Sequence, residues 1–127
     1  MAWEPITRGK PKVMGINAEG PGLLDVSVPL SSVPPPAWVQ FFDSPPDVSV
    51  SVTIHPPRLS GREVFITPPD GQIREYVAQV DTRIGAANRM YEDIELPRLR
   101  EQGERQQTLH DQERVRIERA QDEVDDL

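Results

Sequence analysis

The sequence predicts an α+β fold: a small antiparallel four-stranded sheet in ββαββα order, then a long C-terminal helical, coiled-coil-like extension. Three observations carry this. Apolar or small residues recur at Ile73, Val77, Val80, Ile84, Ala87, Tyr91 and Ile94, with spacings alternating between four and three. That is the a/d stripe of an amphipathic helix. Thirteen of the 14 prolines lie at or before Pro69, so long helices are excluded from the first half of the chain. Within that half, several segments alternate apolar and polar residues with the period of a strand.

Taken in order, residues 1–11 read as an extended arm whose adhesive side chain is Trp3. A domain spanning 12–96 follows, and residues 97–127 form a charged helical tail. Lys12 to Ala18 is the first strand, and Glu19-Gly20-Pro21-Gly22 is a turn. Leu24, Val26, Val28 and Leu30 mark one face of the second strand, closing a hairpin. Prolines 34–36 suit a helix start, where their missing N–H groups cost nothing. The short helix they open carries Ala37, Trp38, Phe41 and Phe42 on one side and ends near Asp43. Val48, Val50, Val52 and Ile54 alternate with small polar residues as a third strand. His55 to Gly61 reads as a connection, and Arg62 to Thr67 as the fourth strand.

Thr67-Pro68-Pro69-Asp70 has the composition of a helix cap with proline at the first helical position. The helix from Gln72 to Leu96 would be about 37 Å long, against about 20 Å for a six-residue strand. Ile73, Tyr76, Val77, Val80 and Ile84 are therefore expected on the sheet. Ala87, Tyr91 and Ile94 are expected to overhang it. The run Gly85-Ala86-Ala87 either permits close approach by another element or tolerates glycine on the solvent side.

Pro97 should kink or end this helix. Beyond it, apolar residues thin to Leu99, Leu109, Val115 and a seam of Ile117, Ala120, Val124 and Leu127. Ile117 lies 40 residues after Val77, which is not a multiple of seven. Two separate helices, or a break near Pro97 and Gly103, are expected.

The chain has 127 residues, a net charge of −7 and no cysteine. The charge argues against a nucleic-acid or anionic-membrane footprint. The absence of cysteine removes disulfides and thiolate chemistry. No signal-peptide pattern or spanning segment is evident, so a cytoplasmic setting is expected. The two histidines, His55 and His110, share no metal-ligand spacing. No phosphate-binding loop or nucleophile elbow occurs. No catalytic residue, metal site or cofactor is predicted.

Two functions compete. The first is a non-enzymatic interaction or assembly module, with a second copy or another protein as partner. It would associate through Ala87, Tyr91, Ile94, Ile117 and Val124 on the long helix and tail. The second is a small-ligand or hydrolase-like domain, with a patch of Trp38, Phe41, Phe42 and His55. Beside these two stands a chaperone or adaptor whose tail folds on a specific protein.

Overall fold

A computed structural model describes residues 3–20, 22–44 and 56–127. The hairpin follows its alternation: β1 (Lys12–Ile16) pairs antiparallel with β2 (Leu24–Pro29), with a bulge between Val13 and Gly15. The expected third strand, Val48 to Ile54, lies outside the described residues. A strand forms instead within the segment read as a connection. This is β3 (Arg58–Ser60), which pairs with β4 (Glu63–Ile66). Three residues are too few to show a period. The hairpin is legible only in its turn, where Gly61 takes φ +60° and Arg62 does not take a positive φ. That is the type II′ pattern, which places glycine first.

The four strands form one antiparallel sheet in the order β1-β2-β4-β3. At its centre Val26 faces Ile66 and Val28 faces Val64 across β2 and β4, and all four are buried. Helix α1 (Pro36–Asp43) starts with proline in its first turn, as read from the sequence, and buries Trp38 and Phe42. Helix α2 (Ile73–Met90) packs against α1 and buries Val77, Val80, Ile84, Ala86 and Ala87.

The start of α2 differs from the expected cap. Leu24 N–H donates to Pro68 O at 2.9 Å, and Asp70 N–H to Gly22 O at 2.9 Å. These bonds tie the Thr67–Asp70 segment to the first hairpin. Gly71 then turns the chain at φ +86°, and the helix begins at Ile73 with no side-chain cap. The sheet takes the backbone groups that a capping box would have used.

Pro97 does not end the helix. A π-helical turn (Tyr91–Glu95) joins α2 to α3 (Leu96–Asp125). In a regular α-helix the Pro97 ring would meet the carbonyl one turn back, and widening the preceding turn relieves that clash. The chain divides into two compact units, Met1–Tyr91 and Glu92–Leu127. The boundary falls in the π-helical turn rather than at Pro97, and the N-terminal arm belongs to the first unit.

Candidate interaction surface

The arm is held along α2 by side chains that belong to no motif of the sequence. Asn88 is the centre. Its Oδ1 accepts from Ile6 N–H at 3.0 Å and from Trp38 Nε1–H at 2.9 Å, and its Nδ2 donates to Ile6 O at 2.8 Å. One amide thus joins the arm, α1 and α2. Arg8 forms an ion pair with Asp81 on the same helix. Its guanidinium is thereby held above its ordinary pKa, chiefly by the hydrogen bond to the carboxylate. Backbone bonds between Gly9 N–H and Pro29 O and between Ser31 N–H and Thr7 O run the arm alongside the end of β2. Trp3 lies against Tyr91, with ring centroids 4.3 Å apart.

This changes the expected overhang. Ala87 is 0% and Tyr91 7% exposed, so neither offers a surface to a partner. Ala87 and Tyr91 are covered by this chain's own arm and by α1, because a buried Ile6 and the Trp3 ring supply apolar cover. The small-residue run divides the same way. Ala86 and Ala87 face inward, whereas a Cβ built on Gly85 would meet nothing within 4 Å.

The aromatic patch is corrected too. Trp38 and Phe42 are each 0% exposed and stack on each other, with centroids 5.5 Å apart. Phe41 is half-buried. Two of the three rings fill the core instead of facing a ligand, and His55 lies outside the described residues. Arg83, buried beside them, donates to Phe42 O at 3.0 Å and Asp43 O at 3.2 Å, and its guanidinium lies 5.9 Å from the centre of the Phe42 ring. A cation there serves the carbonyl end of α1. Asn88 sits one position after the stripe residue Ala87 and Arg83 one position before Ile84. A polar residue beside an otherwise buried face was the only sign in the sequence.

The remaining predicted interface residues lie in the second unit. Ile94 is 48% exposed, Ile117 68% and Val124 59%. None of the 30 residues of α3 is buried. The helix is supported locally instead. Arg105 bonds Glu101 at 2.6 Å, Gln107 bonds Asp111 at 3.1 Å and Gln121 bonds Asp125 at 2.8 Å, all four residues apart. Arg98 bonds Glu95 with two contacts, at 2.5 and 3.1 Å, spanning Pro97. This hydrogen bond, helped by the charge of Arg98, holds the Glu95 carboxyl below its ordinary pKa.

Among the described residues no cluster of three histidine or acidic side chains is placed to hold a metal ion. Among the same residues no helix is long and apolar enough to cross a membrane. Comparison with protein-family models, curated proteins and solved structures finds no match.

Proposed function

We propose that the protein is a non-enzymatic assembly module that associates with a second copy of itself through its C-terminal helix. One observation carries the reading. α3 buries none of its 30 residues, yet it exposes Leu109, Val115, Ile117 and Val124. Ile117, Ala120 and Val124 recur at spacings of three and four, so they share one side of the helix. A helix supported only by local pairs is marginal in water, and packing of an apolar side against another surface is what ordinarily stabilises it. Ala87 and Tyr91 drop out of the interface, and Ile94, Ile117 and Val124 remain in it. The acidic, cysteine-free composition suits a cytoplasmic setting.

Sedimentation equilibrium of the full chain tests this. The wild-type chain should show a mass rising above 14.3 kDa with concentration. The double variant Ile117→Asp/Val124→Asp should remain at the monomer mass with unchanged tryptophan emission. A wild-type chain that stays monomeric at every concentration overturns the proposal.

A further inference from the structure

The apolar side of α3 does not begin at Ile117. Counting back from it, Glu113, Leu109, Gln106, Gln102 and Leu99 follow at spacings of four, four, three, four and three. At 3.6 residues per turn these positions stay on the side of the helix that carries Ala120 and Val124. Leu99 and Leu109 are exposed, as Ile117 and Val124 are. One strip therefore runs nearly the whole length of α3, and a second copy of α3 offers a strip of the same length to cover it.

The charges of α3 are sorted along that length. Residues 96–110 hold three arginines against two glutamates, a net +1, whereas residues 111–125 hold three arginines against six acidic residues, a net −3. The acidic end is concentrated in Asp122, Glu123 and Asp125, with Asp126 just beyond. Arg100 in the first half is exposed and has no ion-pair partner among the described residues, and neither Asp122 nor Glu123 has one. A parallel pair would lay two acidic ends side by side and set the two Glu113 side chains against each other within the strip. Like charges facing each other oppose association. Antiparallel overlap of the two helices instead brings each acidic end to the end bearing Arg98, Arg100 and Arg105. It also moves the two Glu113 positions about 7 Å apart along the axis.

We propose that α3 pairs with α3 of a second copy in antiparallel orientation, the acidic end of each lying along the arginine end of the other. This rests on the self-association reading above and names which parts of the two helices meet. The contact is isologous, so it closes as a two-fold dimer.

Because the chain has no cysteine, a single introduced thiol carries one spin label per chain. Gln112→Cys and Gln121→Cys of the full chain replace exposed residues, and pulsed electron paramagnetic resonance then reads the distance between labels. In the antiparallel pair the two 112 positions lie about 5 Å apart along the axis and the two 121 positions about 30 Å apart. The expected result is a short distance at 112 and a long one at 121. Short distances at both positions mean parallel helices and overturn the orientation, while the self-association reading survives. Sedimentation equilibrium supplies the second arm. Asp122→Asn/Glu123→Gln/Asp125→Asn should weaken association by at least about threefold, because it removes attraction between unlike ends. Unchanged or tighter association of that variant overturns the charge pairing. A wild-type chain that associates with no coupling between labels at either position overturns α3 as the contact, and one that stays monomeric at every concentration overturns both proposals.

Discussion

Asn88 makes three hydrogen bonds to groups 50 and 82 residues away in sequence. Asn88→Ala would leave the indole N–H of Trp38 and both backbone groups of Ile6 without this partner. Each such loss costs about 1–3 kcal/mol where water does not replace it. The expected destabilisation is about 3 kcal/mol in urea unfolding, with a red shift of tryptophan emission. Glu95 gives the pH counterpart. Its folded-state pKa is depressed by Arg98. Its contribution is therefore complete above the ordinary carboxylate range and is lost as pH falls through the lowered folded value. Arg98, itself raised by Glu95, stays charged throughout. Carboxyl-carbon NMR should place the Glu95 midpoint below that of a model glutamate, and Arg98→Gln should return it to the ordinary range.

At the scale of elements, α2 shows how one helix satisfies two demands. Its stripe is buried from Val77 to Ala87, while Gly85 interrupts its outer side. Nothing approaches the position that a Cβ would occupy there, and Gly85 has no positive φ. Gly85→Ala should therefore stabilise the chain by about 0.5–1 kcal/mol, read as a higher urea midpoint at unchanged slope. A loss of stability would mean that the glycine meets a partner on that side. β1 is the opposite case. It is recognisable by its alternation, yet it remains exposed along both margins because the helix layer stops short of it.

For the molecule as a whole, the division at residues 91 and 92 separates two kinds of stability. Both tryptophans, Trp3 and Trp38, belong to the first unit, which has a buried core. The second unit is one helix with no buried side chain. Far-UV circular dichroism and tryptophan emission should therefore melt differently. Ellipticity should begin to fall at lower temperature and over a broader range, since an unpacked helix frays gradually. Its early phase should move upward with protein concentration as self-association proceeds. Superimposable curves from the two probes would contradict independent unfolding of the units.

The α+β class, the first hairpin, α1 and the register of the α2 stripe were all legible in the order of residues. Each of these is written in short-range periodicity or in proline placement, which act within a few residues of where they occur. That order left β3 unread, because a three-residue strand has no period, and it left open whether Pro97 kinks or ends the helix, where one wide turn takes up the proline and the helix runs on. What covers Ala87 and Tyr91 emerges only in the folded chain. That cover comes from α1 and from the arm, and the bonds fixing Ile6 cross 82 residues. Such a contact leaves no periodic trace in a sequence, because its pattern exists only once both segments have folded onto the same helix.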